Sequence, residues 1–367
     1  MNTLQRLHAE FDQSPWVDSI DRQLIESGGL ADLVSNGIRG LTSNPTIFAK
    51  AVAAGHYDEL IARMHTGGSD TQAIYQAIAV GDIRDAADIL RSVYEASGGA
   101  DGFASIEVEP ALALDSAATL ARAQELWAAV DRPNIFIKIP GTAACLPAIE
   151  NTLAAGINVN VTLLFSVEVY RQVAAAFIAG LGRWQAAGGD VRRVASVASF
   201  FVSRVDTKVD RALDALADPD VSALRGTAAI ANARMAYAAF EEIFSGAGFA
   251  RLRAAGARVQ RCLWASTSTK DPAYRDVRYV EELIGPQTVN TLPRETIAAA
   301  LDHAVLERTV DGDPASAAAA LAAIEDVGIS MATVTDELLD EGVRAFGASF
   351  DELMSTIEQT RSSLAGT

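Results

Sequence analysis

Short apolar or alternating stretches recur along the chain, and longer stretches of helical spacing separate them. Stretches of four to eight residues that are rich in β-branched side chains are typical of strands. Eight strands are predicted, at residues 15–19, 38–43, 104–108, 135–139, 157–164, 194–201, 259–266 and 288–292. The clearest helices predicted between them lie at residues 71–96, 116–130 and 167–187.

Eight alternations of strand and helix are typical of the (β/α)8 TIM barrel, in which catalytic residues lie at the carboxyl ends of the strands. A doubly wound open sheet is the alternative. After residue 293 the pattern is helical, with helices predicted at residues 296–309, 314–326 and 349–364. We therefore predict an α/β fold with one barrel domain over residues 1–367, the barrel at about 12–310 and additional C-terminal helices at about 311–367.

Charge and composition exclude several classes of function. A formal net charge of −17 disfavours nucleic acid and membrane partners, and an anionic substrate would need a local cationic site. The first residues lack the apolar core of a signal peptide, and two cysteines, Cys145 and Cys262, favour a reducing, cytoplasmic location over a disulfide framework. The four histidines are scattered and no phosphate-binding glycine motif occurs, so neither a metal nor a cofactor is expected.

Lys138 lies inside an otherwise apolar run, Asn-Ile-Phe-Ile-Lys-Ile-Pro at residues 134–140, in a chain with only four lysines. Such a run is typical of a buried parallel strand, where an isolated ammonium group is costly to desolvate. The amine must therefore reach water, pair with an acid or stay neutral. A neutral buried amine is a nucleophile that can form a Schiff base. A lysine that merely reaches water or a carboxylate from a strand end is the alternative.

Residues 156–164 alternate strictly between polar and apolar side chains, which places Asn158, Asn160 and Thr162 on one face. The intervening apolar residues, which end with Leu163, are assigned to the opposite face. In a barrel the outer face packs on helices, so the polar row is predicted to point inward. A polyhydroxylated ligand would give these buried groups hydrogen-bond partners. An ordinary half-exposed strand would alternate in the same way.

Carboxylates end two other predicted strands. Glu107 could move protons during carbinolamine dehydration, and an ion pair with Lys138 is its alternative role, which can coexist with the first. Asp18 ends the first strand. It could serve as the N-cap of the helix that follows, and so could Ser19 or Asp21.

Two late strands end in hydroxyls and a cation. Residues 197–204 end at Ser203 and Arg204, and residues 264–270 carry four hydroxyls before Lys270. Phosphate is often bound in barrels by late-strand loops and a helix N-terminus. Ordinary loops are also rich in serine and threonine, but two such segments at neighbouring strand ends beside Lys138 indicate an anion site.

Together these segments resemble the transaldolase family of class I Schiff-base enzymes, which fold as (β/α)8 barrels. The resemblance extends from Asp18 to about residue 293. Its motifs are Gly-Leu-Thr-Ser-Asn-Pro at 40–45, Ser-Ile-Glu-Val at 105–108, Ile-Lys-Ile-Pro-Gly-Thr at 137–142 and Gly-Ile-Asn-Val-Asn-Val-Thr-Leu-Leu-Phe-Ser at 156–166. The chain is more similar to the longer bacterial branch, which carries the Trp-Ala-Ser-Thr-x-Thr-Lys pattern found at 264–270.

The resemblance implies a role for each candidate residue. Lys138 would be the lysine that forms the Schiff base, and Asp18 would be the general acid and base at the C4 hydroxyl of the sugar substrate. Glu107 and Thr162 would position the water that shuttles protons. The implied substrate-binding residues are Asn44 and Asn160 at hydroxyls of the dihydroxyacetone unit, and Ser199, Arg204 and Ser266 at phosphate.

Two positions differ from related enzymes. The family's better-known branch has an arginine where this chain has Ser268, so Lys270 is predicted to bind phosphate in its place. Phe201 lies where related fructose-6-phosphate aldolases tend to have tyrosine, which favours group transfer over aldol cleavage.

The resemblance implies a transaldolase of the non-oxidative pentose phosphate pathway that needs no cofactor. It would transfer a dihydroxyacetone group from sedoheptulose 7-phosphate or fructose 6-phosphate to glyceraldehyde 3-phosphate or erythrose 4-phosphate. A fructose-6-phosphate-type class I aldolase and a non-catalytic sugar-phosphate-binding protein are the alternatives. The expected partners are phosphorylated sugars, and both a monomer and a homodimer are compatible with the sequence.

Overall fold

Eight parallel strands close into a barrel in which each strand pairs with its neighbours in the sequence and the first pairs with the last. The computed structural model describes residues 1–364; residues 365–367, which end the predicted domain and its C-terminal extension, lie outside the described residues. The strands are β1 (Gln13–Val17), β2 (Gly40–Leu41), β3 (Phe103–Glu107), β4 (Ile135–Pro140), β5 (Val159–Leu164), β6 (Ser196–Phe201), β7 (Arg261–Ala265) and β8 (Thr288–Leu292). The predicted (β/α)8 TIM barrel is confirmed.

Helices surround this barrel and follow it in the sequence. Within residues 1–364 they are α1 (Thr3–Phe11), α2 (Arg22–Glu26), α3 (Gly29–Ser35), α4 (Pro45–Ala53), α5 (Asp58–Thr66), α6 (Thr71–Ile89), α7 (Arg91–Ala96), α8 (Ser116–Val130), α9 (Leu146–Ala154), α10 (Val167–Ala186), α11 (Ser203–Leu216), α12 (Ala228–Ser245), α13 (Ala247–Ala254), α14 (Arg278–Glu281), α15 (Arg294–His303), α16 (Pro314–Asp326) and α17 (Met331–Leu364). The predicted helix at 116–130 is α8, which the Asp115 side chain caps by accepting a hydrogen bond from Ala118 N. The predicted helix at 71–96 is divided at Leu90 into α6 and α7.

β2 has two residues where six were predicted, and a bulky side chain packs against it. A Cβ atom at Gly40 would lie 2.5 Å from Cε2 of the buried Trp16 side chain, so only glycine fits there. Hydrogen bonds continue the pairing with β1 on either side, from Arg39 N to Pro15 O and from Thr42 N to Val17 O. The strand is short, but Thr42 is still held beside the end of β1.

β5 departs from the predicted alternation at its carboxyl end. Its register with β6 shifts between Val161 and Leu164, and Leu163 has a φ of 60°, which is uncommon for a residue other than glycine. The assignment of Leu163 to the outer apolar face is therefore wrong. Its Cδ2 atom lies 3.0 Å from where a Cβ at Gly342 of α17 would be, so the bulge turns Leu163 toward the C-terminal helix.

The C-terminal helices differ from the prediction in length. The helix predicted at 296–309 ends at His303, because Val305 N donates to the Glu281 carboxylate and Thr309 N donates to Ile284 O. The helix predicted at 349–364 is the last half of α17, which has 34 residues.

No single helix among the described residues has the length and apolar composition needed to span a bilayer. Helices α16 and α17 satisfy that criterion only as a pair, and they are bent by 89° relative to each other.

Candidate active site

The carboxyl ends of the strands open into a cavity of about 540 Å³. Nine of the eleven predicted site residues line it, namely Asp18, Asn44, Lys138, Thr162, Ser199, Phe201, Arg204, Ser266 and Lys270. The other two, Glu107 and Asn160, are buried and hydrogen-bonded to residues of this lining. Because barrel closure brings the ends of separate strands together, residues far apart in the sequence meet here.

A larger cavity of about 730 Å³ lies near the amino ends of β4, β6 and β7. Three arginines line it, and each donates a hydrogen bond to a backbone carbonyl group: Arg253 to Phe244, Arg258 to Gly98 and Arg261 to Ala100. Catalytic residues of TIM barrels lie at the opposite end. The smaller cavity is therefore the candidate active site.

Lys138 reaches the cavity from β4 with only 5% of its surface exposed. Its Nζ atom donates to Ser43 O at 3.1 Å and to Glu107 Oε2 at 3.3 Å. The pairing of β3 with β4 sets Glu107 directly opposite Lys138. The amine thus pairs with an acid and also borders the cavity.

Glu107 is a buried carboxyl group whose pKa is raised. Burial raises its pKa to about 7, although the ammonium group of Lys138 opposes this rise. Nearby, Thr162 lies opposite Pro140 on the inner side of β5. Its buried hydroxyl makes no hydrogen bond to any residue in the described part of the chain, 1–364. A water molecule or a ligand oxygen would satisfy that hydroxyl.

Asp18 follows β1 at the mouth of the barrel. Its backbone N donates to Leu292 O at 2.9 Å, and its Oδ1 atom accepts a hydrogen bond of 2.6 Å from the Thr42 hydroxyl. Burial raises its pKa above the usual value for aspartate, and the bond from Thr42 opposes that rise. The helix-capping role belongs to Asp21, whose Oδ1 atom accepts from Leu24 N at 2.7 Å. Asp18 is therefore not needed as the cap of α2.

The two predicted asparagines occupy different environments. Asn44 caps α4 by accepting a hydrogen bond from Ile47 N at 3.1 Å, and its amide lies at the cavity wall. Asn160 is fully buried. It donates to the Ser105 hydroxyl at 3.2 Å and accepts from the Ser199 hydroxyl at 2.6 Å. Asn160 thus holds Ser199 at the cavity edge.

Arg204 lies in the first turn of α11. Its guanidinium carbon is 5.1 Å from the centroid of the Phe201 ring. Burial lowers its pKa from the ordinary value, yet an arginine stays charged at neutral pH. No carboxylate within residues 1–364 forms an ion pair with Arg204. A helix N-terminus that carries such a cation favours an anion.

Ser266 follows β7 with a φ of 56°, an uncommon left-handed conformation for serine. Its carbonyl oxygen accepts a hydrogen bond from Ser203 N at 3.0 Å, and the hydroxyl oxygens of Ser203 and Ser266 are 2.9 Å apart. Lys270 is exposed at the rim and donates to the Ser268 hydroxyl at 2.6 Å. The two segments predicted to bind an anion therefore meet at the start of α11.

The cavity is locally cationic although the whole chain is acidic. Its charged lining consists of the cations Lys50, Lys138, Arg204, Lys270 and Arg294 and the acids Asp18, Asp21 and Glu295. Five cations face three acids in a chain with a net charge of −17, which matches the local cationic site that an anionic substrate requires. In the described part of the chain, no group of three or more histidine, cysteine, aspartate or glutamate side chains is arranged to hold a metal ion.

Several lining residues were missed from the sequence, and two of them adjoin the predicted residues. The Thr291 hydroxyl lies 2.7 Å from the Thr42 hydroxyl and so extends the network around Asp18. Polar residues at both 290 and 291 break the alternation of β8, which hides this position. Phe346 of α17 places its ring centroid 5.4 Å from Lys138 Nζ. No local pattern connects a helix position so late in the chain with the fourth strand.

The sequence matches the family model described as Transaldolase/Fructose-6-phosphate aldolase over residues 15–357. It is 50% identical over 360 residues to Transaldolase 1 of Streptomyces coelicolor, covering 97% of this chain and 94% of that relative. It is 52% identical over 347 residues to the transaldolase of Thermobifida fusca, covering 94% of each. These matches include the barrel and most of its C-terminal helices, and they confirm the resemblance seen in the motifs. The chain belongs to the transaldolase/fructose-6-phosphate aldolase family.

Proposed function

We propose that this protein is a transaldolase that moves a dihydroxyacetone group between sugar phosphates through a Schiff base on Lys138. The observation that carries this proposal is a buried amine at the edge of a cationic cavity, in contact with a carboxyl group whose pKa is about 7. Relatives about 50% identical to this chain, which are named transaldolases, support the same activity.

The proposed reaction begins when the Lys138 amine attacks the C2 carbonyl of a ketose phosphate. Glu107, through a water held at the Thr162 hydroxyl, takes a proton from the amine and gives it to the C2 oxygen as the C2–N bond forms. It then takes a second proton from the nitrogen and gives it to the C2 hydroxyl, which leaves as water. The contact between Lys138 and Glu107 and the lone hydroxyl of Thr162 support these roles. The product is an iminium group bonded to Lys138.

Asp18 would then take the proton of the C4 hydroxyl. The C3–C4 bond breaks, its electron pair moves toward the iminium nitrogen, and the first aldose phosphate leaves. The enamine that remains attacks the aldehyde carbon of a second aldose phosphate, and Asp18 returns the proton to the new hydroxyl. Water then adds to C2 of the new iminium, and the C2–N bond breaks to release the ketose phosphate and the Lys138 amine. Burial raises the pKa of Asp18, as expected for a group that both accepts and donates a proton.

The phosphate group of each substrate would lie at the N-terminus of α11. Arg204 supplies a cation without an acidic partner in residues 1–364, and Ser199 and Ser266 supply hydroxyls. Lys270 would add a second cation from the rim. At the other end of the substrate, Asn44 and Asn160 would hold hydroxyls of the dihydroxyacetone unit.

The finer identity of the substrates also belongs to this proposal. We assign sedoheptulose 7-phosphate or fructose 6-phosphate as donors, and glyceraldehyde 3-phosphate or erythrose 4-phosphate as acceptors, in the non-oxidative pentose phosphate pathway. The chain would work in the cytoplasm as a single barrel domain, either as a monomer or as a homodimer. The two cysteines are buried and unlinked, which supports a reducing compartment.

The test combines a product assay with chemical trapping. With fructose 6-phosphate and erythrose 4-phosphate, we expect sedoheptulose 7-phosphate to form, and borohydride should fix a three-carbon adduct on the peptide that contains Lys138. Fast release of free dihydroxyacetone without an acceptor would instead identify a fructose-6-phosphate-type aldolase. Ligand binding without a reducible adduct would identify a binding protein.

The replacement Arg204→Ala is expected to raise KM for fructose 6-phosphate about 10- to 100-fold, since it removes a charge-assisted contact to phosphate. Turnover of unphosphorylated dihydroxyacetone as a donor, with unphosphorylated glyceraldehyde as the acceptor, should change little. Steady-state kinetics with both donors provide the measurement. Lys270→Ala is the matched control, and it should have a smaller effect because that ammonium group is exposed. Equal losses with both donors would remove Arg204 from the phosphate site.

Imine formation is expected to accelerate as pH rises through about 7. Below that value Glu107 holds its proton, so it cannot act as a base toward the amine. Above it, Glu107 is ionised and can take a proton from the amine and pass it to the leaving hydroxyl. In Glu107→Gln this rise should vanish and the rate should fall about 100-fold. The rate of borohydride trapping of dihydroxyacetone between pH 5.5 and 8.5 measures both effects, and a pH profile like that of the unmodified protein would contradict the role.

A further inference from the structure

We propose that Phe346 of the C-terminal helix is a positioning residue that shields the Lys138 iminium from water and so favours transfer over release of free dihydroxyacetone. This inference rests on the proposed function. Its first support is geometric, because the Phe346 ring lines the cavity with its centroid 5.4 Å from Lys138 Nζ. The same amine also donates hydrogen bonds to Ser43 O and Glu107.

α17 lies across the carboxyl ends of the strands, and its contacts with several barrel elements fix the position of Phe346. The contacts of α17 include an ion pair of Glu341 with Lys208 of α11, hydrogen bonds of Ser349 with Thr46 of α4 and of Glu358 with Thr71 of α6, and the close approach of Gly342 to Leu163 of β5. These partners belong to four different elements of the barrel. The ring is therefore held beside the amine by rigid neighbours.

Gly342 and the bulge of β5 let α17 come this close. The Cβ position at Gly342 is 3.0 Å from Leu163 Cδ2 and 3.7 Å from Arg204 Nη1, so a larger residue there would push the helix outward. Gly342 lies one helical turn before Phe346, on the side of α17 that faces the barrel. The close approach thus sets the depth to which the ring enters the cavity.

The chemistry explains what such a ring would do. Release of dihydroxyacetone consumes one water: the enamine takes a proton at C3, water adds to C2, and the C2–N bond breaks with its electron pair returning to the lysine nitrogen. An aromatic ring beside that nitrogen occupies space that water would need, and its face attracts the cationic iminium. Attack of the enamine on an aldehyde needs no water, although the new ketose is later released by the same hydrolysis. Phe346 therefore acts on the partition of the enamine, the stage at which release needs water and transfer does not.

The experiment measures product partition. With fructose 6-phosphate and a fixed concentration of erythrose 4-phosphate, the ratio of free dihydroxyacetone to sedoheptulose 7-phosphate is determined for the whole protein and its variants. In Phe346→Ala we expect this ratio to rise about 5- to 10-fold, since the iminium loses both its cover and its aromatic contact. A general loss of folded protein would lower both products equally and leave the ratio unchanged.

Phe350→Ala is the matched control, because it removes the same ring from the same helix at a position that packs on Tyr75 and does not line the cavity. It should keep the ratio of the unmodified protein.

If Phe346→Ala does not fold, Phe346→Gln makes the same test, as glutamine keeps the length and helix propensity of the position. An unchanged ratio at position 346, or an equal rise in Phe350→Ala, overturns the proposal. Trapping of the unmodified protein with borohydride comes first, and a missing Lys138 adduct would refute the proposed function instead.

Discussion

Replacement of Lys138 with methionine is expected to abolish transfer of the three-carbon unit, by roughly four orders of magnitude or more, because no other group can form the covalent intermediate. Methionine matches the length and apolar stem of lysine, so the core around β4 should keep its packing. Glu107 would lose its ammonium partner, and its pKa would rise further above about 7, which leaves it neutral and tolerable inside the barrel. The variant should therefore be folded and inactive.

The measurement is the initial rate of sedoheptulose 7-phosphate formation, followed by borohydride trapping and peptide mapping. Lys50→Met is the matched control, since Lys50 is an exposed lysine that lines the same cavity. That variant should keep the adduct at Lys138 and most of the activity. Transfer at the normal rate in Lys138→Met would refute the mechanism as a whole.

Asp18→Asn is expected to have the second-largest effect, a fall in kcat of about 10³-fold, since asparagine cannot take the proton of the C4 hydroxyl. The amide still fits beside Thr42, although its oxygen or its nitrogen must then face the Thr42 hydroxyl. Imine formation does not require this group. Asp18→Asn should therefore still form a trapped adduct with dihydroxyacetone, although it no longer cleaves fructose 6-phosphate.

This separation of steps distinguishes Asp18 from Lys138, whose replacement removes both. Asp21→Asn is the control: that residue also lines the cavity, but it caps α2, and asparagine caps helices about as well as aspartate. Its activity should stay close to that of the unmodified protein. A loss of adduct formation in Asp18→Asn would show that the residue is needed earlier than proposed.

The barrel could be predicted because its signal is local and repeated. Each of the eight strands overlaps a stretch marked by apolar or alternating residues, although β1, β3 and β4 extend one or two residues beyond it, and the alternation of strand and helix occurs eight times. Two features could not be predicted from these patterns. β2 has two residues where six were predicted, and the end of β5 is turned by a bulge that no alternating pattern encodes.

Much of the candidate site could also be predicted, since barrel residues at strand ends converge whatever the details of packing. Lys138 opposite Glu107 follows from the register of two neighbouring strands. The environment of Asn160 could not be predicted, because its bonds to Ser105 and Ser199 arise only on closure of the barrel. Phe346 was out of reach for a similar reason: its place beside Lys138 depends on how a helix crosses the finished barrel.

The crossing of α17 over the barrel has a consequence for biosynthesis. A growing polypeptide leaves the ribosome from its amino end, and its early segments can begin to fold during translation. All eight strands and the reactive lysine emerge before Phe346 does, so an incomplete barrel would expose an uncovered amine to cellular aldehydes and ketones. A nascent chain should therefore acquire its protection against wasteful condensation only when its last helix has docked.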